Sequence, residues 1–150
     1  MGKTHSNIYS LPPANFSPSD KIGRVWLGIR RLVRFLKSPN HWSIILEAGQ
    51  GFLTVQLDVD GSIGISYQSD LRSAALATWG NQKSDVRLSE CGKGNGRTLG
   101  EFLDKISGNF TYILGFYDCQ NFCREMVDFL TGKTIGIWPK EDGPRMNLIK

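Results

Sequence analysis

The sequence predicts an α+β fold, a small antiparallel sheet packed against helices. Residues 42–48, 52–58 and 62–68 are short runs rich in β-branched, aromatic and aliphatic side chains, separated by Gly49-Gln50-Gly51 and by Asp60-Gly61. That is the signature of three consecutive antiparallel strands. Residues 98–107 and 118–130 instead carry apolar side chains at three- and four-residue spacing behind good capping residues, as amphipathic helices do. With 150 residues, 40% of them hydrophobic and 21% charged, the chain has the size and composition of one domain with a full core.

Residues 1–17 read as a flexible lead that is polar and contains Pro and Ser. Met1-Gly2-Lys3-Thr4-His5-Ser6 matches the minimal N-myristoylation pattern, which makes Gly2 a candidate lipidation site in a eukaryotic host. The first twenty residues lack the apolar core of a signal peptide, and no run approaches the roughly 18 apolar residues of a membrane span. The expectation is a cytoplasmic chain, at most peripheral on a membrane. Three cysteines without the paired spacing of secreted scaffolds fit a reducing compartment.

The folded domain is expected over residues 18–138, opening on a basic segment at 18–37. Ser17-Pro18-Ser19-Asp20 is a good helix start, and Ile22, Val25, Trp26, Ile29, Leu32, Val33 and Leu36 fall at helical spacing. Arg24, Arg30, Arg31, Arg34 and Lys37 decorate the rest. The segment therefore reads as a basic amphipathic helix, and these five cations are candidate contacts for anionic lipid or RNA. Gly23 and Gly28 each weaken a helix by about 1 kcal/mol relative to alanine, and Arg24–Ile29 also reads as a strand.

Ser38-Pro39-Asn40 breaks that segment and delivers the chain to His41-Trp42-Ser43-Ile44-Ile45-Leu46, the first strand of the meander. In the second strand Leu53, Val55, Leu57 and Val59 share one face, and Phe52, Thr54, Gln56 and Asp58 share the other. Ile63, Ile65 and Tyr67 keep phase in the third. Leu71–Trp79 reads as a short helix or an irregular crossing, and Asp85–Cys91 as a short strand. Gly92-Lys93-Gly94-Asn95-Gly96-Arg97 is neither a P-loop nor a dinucleotide-binding turn, so it reads as a mobile loop with a lid or a partner contact as its candidate role. Thr98 and Glu101 form a capping box for a helix to about Ser107. Phe110–Phe116 is apolar, Ile135, Ile137 and Trp138 close a last strand or pack on the core, and residues 139–150 read as a tail.

The helix at 118–130 carries the chemistry. Cys119, Phe122, Cys123, Met126, Val127 and Leu130 form its buried stripe, with Asp118 as N-cap and Gly132 as stop. Cys119 lies in the first turn, where free N–H groups and the helix dipole favour a thiolate. The chain has two histidines, His5 in the lead and His41 at the mouth of a strand. Cys119 and His41 are therefore the candidate nucleophile and base, distant in sequence and adjacent in the fold. Gln56, one strand further on, is placed to hydrogen-bond the imidazole and set its tautomer. Cys119, Cys123 and His41 would give zinc three ligands with no apparent fourth, so neither a metal site nor a cofactor is expected.

His-Trp opening a strand, followed by an Asx-Cys-x-x-Phe helix start, resembles the circularly permuted papain-like families. The nearest are the lecithin:retinol acyltransferase-like and phospholipase/acyltransferase proteins, relatives of the NlpC-type peptidases. The resemblance covers residues 40–131. It implies a permuted papain-like architecture in the order His41, Gln56, Cys119, and a cysteine-dependent hydrolase or acyltransferase that forms a thioester from a lipid acyl ester or an amide. Asp118 stands where these families usually carry Asn and adds negative charge beside the thiol. Gln56 stands where His is commoner, and no membrane span of the kind many relatives carry is seen. Some picornavirus 2A proteins share the histidine box and cysteine helix without an established protease role, and are implicated in RNA or host-factor binding. The alternative is thus a non-catalytic module contacting RNA or a host protein through a basic surface. The net charge of +4 and pI near 9.1 bias the chain towards acidic partners, whether nucleic acid or an anionic membrane.

Overall fold

The computed structural model describes residues 4–6, 15–32, 40–107, 109–111, 118–135 and 145–146. In chain order its elements are β1 (Thr4–Ser6), β2 (Ile22–Arg31), β3 (Asn40–Ala48), β4 (Gly51–Leu57), β5 (Ile63–Gln68), α1 (Leu71–Leu76), β6 (Val86–Lys93), α2 (Leu99–Ile106), β7 (Asn109–Thr111), α3 (Cys119–Thr131) and β8 (Arg145–Met146). The fold is α+β. One sheet runs β5-β4-β3-β2-β6-β8 with every neighbour antiparallel, and β1 pairs with β7 separately.

The β3–β4–β5 meander forms as its alternation predicts. Leu53, Val55 and Leu57 of β4 join Trp42, Ile44 and Leu46 of β3 and Val25, Leu27 and Ile29 of β2 on one face. Phe122, Met126, Val127 and Leu130 of α3 close that face, together with Leu99, Phe102 and Ile106 of α2. Both helices begin as the sequence predicts, α2 with its Thr98–Glu101 capping box and α3 with Asp118 accepting from the Gln120 and Asn121 amides. The opposite face carries a smaller apolar patch, Trp26, Ile45 and Leu88 against Ala74 and Ala75 of α1. Asp60-Gly61 marks a real hairpin, but the turn is longer than two residues. Asp58 N–H donates to the Ser62 carbonyl, and Gly61 N–H donates back to that of Asp58.

Over Ile22–Arg31 the basic segment is a strand, not a helix. Ser17–Asp20 is a turn closed by the Asp20 N–H on the Ser17 carbonyl, and β2 follows at the centre of the sheet between β3 and β6. The helical spacing arises because both faces of β2 are covered. Val25, Leu27 and Ile29 look to α3 while Trp26 looks to α1, so the strand reads as a continuous apolar run that mimics a helical stripe.

The glycine-rich stretch is not a free lid. Gly94 N–H donates to the Gly23 carbonyl, Ile22 N–H donates to that of Arg97, and Arg97 lies over the Phe129 ring at 4.1 Å while its Nε donates to the Phe129 carbonyl. Two short pieces add further strand pairs. Thr4–Ser6, in the stretch read as a flexible lead, runs antiparallel to Asn109–Thr111, and Arg145–Met146, in the stretch read as a tail, pairs with Val86 and Arg87. Gly2, Arg34, Lys37, Ile137, Trp138 and most of Phe110–Phe116 lie outside the described residues.

Candidate active site

The site is assembled at the end of the sheet where β3 begins. His41 and Gln56 point to the α1 face, as the strand alternation requires, and both are buried. After α1 the chain crosses this face through residues 77–82 before turning into β6. It lays its backbone against Gln56: the glutamine Nε2 donates to the Ala77 carbonyl at 2.9 Å, and its Oε1 accepts from the Trp79 N–H at 3.0 Å. A backbone carbonyl only accepts and an amide N–H only donates, so the side-chain amide has one satisfied orientation. His41 Nε2 lies 3.0 Å from that same Oε1 and must therefore be the N–H that donates to it. The neutral imidazole is left with its lone pair on Nδ1, the form a general base needs. Trp79 stacks on the ring with centroids 5.5 Å apart.

Cys119 reaches the same end of the sheet from the other face. Helix α3 packs on β3, with the Arg124 guanidinium 4.8 Å over the Trp42 ring and the Trp42 N–H donating to the Cys119 sulfur. The pairing of β3 with β4 starts at Ile44↔Val55, so residues 40–43 are laddered to β2 alone. Beyond the last β3–β4 pair lies a cavity of about 640 Å³, whose lining includes His41, Leu57, Asp58, Asp118, Cys119 and Gln120. His41 and Cys119, carried on opposite faces of the sheet, thus line one cavity at its end.

Electrostatics keep both groups neutral at rest. Burial lowers the His41 pKa, and the Gln56 hydrogen bond and the Asp58 charge only partly offset it. Burial raises the Cys119 thiol, the Asp118 charge adds to the rise, and the Trp42, Cys119 and Gln120 amides act against it. The helix start therefore does not yield the resting thiolate that its dipole alone would favour. Desolvation outweighs it. Cys123, fully buried behind Cys119, is raised well above an ordinary thiol by the same cause.

The rim of the cavity is apolar. Leu32, Val59 and Trp79, exposed by 46%, 68% and 37%, are the large exposed hydrophobic side chains among the described residues, and all three line it. Among the described residues that line it, none is Lys or Arg.

The candidate cations among the described residues scatter. Arg24 pairs with Glu47 at 3.5 Å and lies over Trp26, while Arg30 is buried and bonded to backbone carbonyls. Arg31 is half-buried at the end of β2. Among the described residues no group of three His, Cys, Asp or Glu side chains is placed to hold a metal, and no helix is long and apolar enough to cross a membrane. Comparison with protein-family models, curated proteins and solved structures finds no match to this chain.

Trp79, Asp58 and the backbone of Ala77 are site components that the sequence does not single out. Asp58 shares the alternation of Gln56 and was accessible by that signal. The crossing segment carries none, since its contribution is made by main-chain groups.

Proposed function

We propose that the protein is a cysteine-dependent acyl-transfer enzyme of the permuted papain-like kind, with Cys119 as nucleophile and His41 as base. The observation that carries this reading is a histidine fixed as its Nε2–H tautomer and opening onto the cavity that also holds a cysteine at a helix start. The thiol proton passes to His41 Nδ1 as sulfur attacks the acyl carbonyl, so a neutral pair becomes thioester-forming only when substrate is present. The leaving alcohol or amine takes the proton back, and water or a second acceptor resolves the thioester. Gln56 accepts from Nε2–H throughout and steadies the imidazolium. The Cys119 N–H and the Gln120 side-chain amide serve the oxyanion, since Asp118 already occupies the Gln120 N–H. The apolar rim formed by Leu32, Val59 and Trp79 supports an acyl chain as the group received, from a lipid ester or an amide.

Incubation with p-nitrophenyl esters of rising chain length, followed by intact-mass analysis, tests this. An acyl adduct on Cys119 that is absent in Cys119→Ser, with turnover lowered about 10²- to 10⁴-fold in His41→Ala, is expected. Absence of any adduct, together with salt-dependent retention on RNA, would instead favour the non-catalytic binding module, a reading that the raised thiol pKa and the net positive charge support.

A further inference from the structure

In the sequence Arg30 reads as a candidate contact for anionic lipid or RNA. It is instead 3% exposed, on the α1 face of β2 directly across from His41 in the β2–β3 register. A guanidinium taken out of water must have its N–H groups satisfied. Its Nε donates to the Asn81 carbonyl at 3.1 Å, Nη1 to those of Leu76 and Thr78 at 3.1 and 2.9 Å, and Nη2 to that of Gln82 at 3.2 Å. These four acceptors bracket Ala77 and Trp79, the two residues whose backbone groups orient Gln56. The Asn81 N–H bonds back to the Arg31 carbonyl at 2.8 Å, which ties the segment to β2 from both directions. Thr78 is pinned from β3 as well, its hydroxyl 2.8 Å from that of Ser43.

An aliphatic side chain would fill this position without desolvating a charge. What an aliphatic residue or a lysine lacks is the planar fork that reaches several carbonyls of one crossing segment at once. We propose that Arg30 is a positioning residue for the His41–Cys119 pair: by fixing the carbonyls of residues 76–82 it sets Ala77 and Trp79 against Gln56, and Gln56 then holds His41 as the Nε2–H tautomer. The proposal rests on His41 acting as the base, but the tautomer is readable without any substrate.

The experiment is long-range ¹H–¹⁵N NMR of the His41 ring at about pH 8, above the titration range of a free imidazole. It compares wild type, Arg30→Lys and Gly80→Ala, uses His41→Ala to assign the resonances, and adds thermal melts and ester kinetics. Gly80→Ala attacks the same clamp from the other side. Gly80 has φ +146°, and a Cβ there would stand 2.6 Å from the Arg31 carbonyl oxygen and 3.0 Å from Arg30 Cγ. Wild type should show Nε2–H alone. Both variants should show an averaged mixture of tautomers, with kcat on the ester falling about 10- to 100-fold and KM little changed.

A wild-type ring protonated on Nδ1 would overturn the proposal. So would folded variants that keep the single tautomer. If Arg30→Lys fails to fold, Gly80→Ala decides on the same criterion. If the tautomer mixes as expected but wild type forms no acyl adduct, the clamp stands and the acyl-transfer reading falls.

Discussion

The two faces of the sheet are built from different chemistry. Under α2 and α3 the face is mostly apolar, with Leu27, Ile44, Leu53, Phe102, Phe122 and Met126 fully buried and Ser89 and Thr131 as its buried polar residues. Under α1 and the crossing segment, apolar contacts give way to buried polar groups: Arg30, His41, Ser43, Thr54, Gln56 and Thr78. These bond to one another or to the backbone, as Thr54 does to the Ala74 carbonyl. Apolar burial is non-directional and supplies stability in proportion to area. A buried polar network contributes little net stability, but it permits one arrangement, because any other leaves a donor or acceptor unpaired. The first face therefore holds the domain together, and the second orients an imidazole. The division is visible at Gly28, where a Cβ would stand 2.5 Å from the Ser43 hydroxyl and 2.7 Å from that of Thr78. Only a residue without a side chain lets that pair close over β2.

Changes on the two faces should separate stability from orientation. The largest stability loss is expected from Phe122→Ala, about 3 to 5 kcal/mol by urea denaturation, with the His41 tautomer unchanged in the protein that remains folded. A tautomer that mixes in this variant would erase the distinction between the faces. Gln56→Leu should cost less stability, about 1 to 3 kcal/mol, because it strands the Trp79 N–H and the Ala77 carbonyl. It should nevertheless lower ester kcat/KM far more than any apolar-face substitution of equal cost. Equal losses for equal destabilisation would make Gln56 merely structural.

Gly28→Ala should disrupt the Ser43–Thr78 pair at a cost of about 1 kcal/mol, together with partial loss of the tautomer. Unaltered melting and an unaltered ring would remove Thr78 from the clamp.

Smaller effects follow from pH. His41 has its folded pKa lowered by burial, so the unfolded chain takes up its proton first. This contribution to stability is complete above the free value near 6.5 and is lost as pH falls through and below it. Wild type should lose urea resistance from pH 7.5 to pH 5.5 more steeply than His41→Gln, and identical slopes would contradict the burial. Alkylation should titrate at Cys119 above the ordinary thiol range of about 8.5 and later still at Cys123, in wild type and His41→Ala alike. A depressed value at Cys119, lost with His41, would mean a resting ion pair instead of a neutral one.

The strand meander, both capped helices and the Cys119–His41–Gln56 candidates were legible because each depends on local pattern. Thr98 and Glu101 are three residues apart, Asp118 precedes its helix directly, and Gln56 alternates out of phase with Leu53, Val55 and Leu57. The segment at 22–31 misled because burial on two faces erases the period of two that marks a strand. Arg30 misled for the same reason, since its charge suggests solvent only if the opposite face of β2 is open.

The sequence by itself determined where strands alternate, where helices start and which side chains have nucleophile and base chemistry. These are properties of spacing and residue type within a dozen positions. Only the tertiary structure decided that β2 is central, that Arg30 is inside, that the cysteine and histidine reach one cavity from opposite faces, and that burial overrides the helix dipole at Cys119. Each of those depends on which surface covers which, and on what water has been excluded. No local pattern encodes that balance, because the groups that set it are dozens of residues apart along the chain.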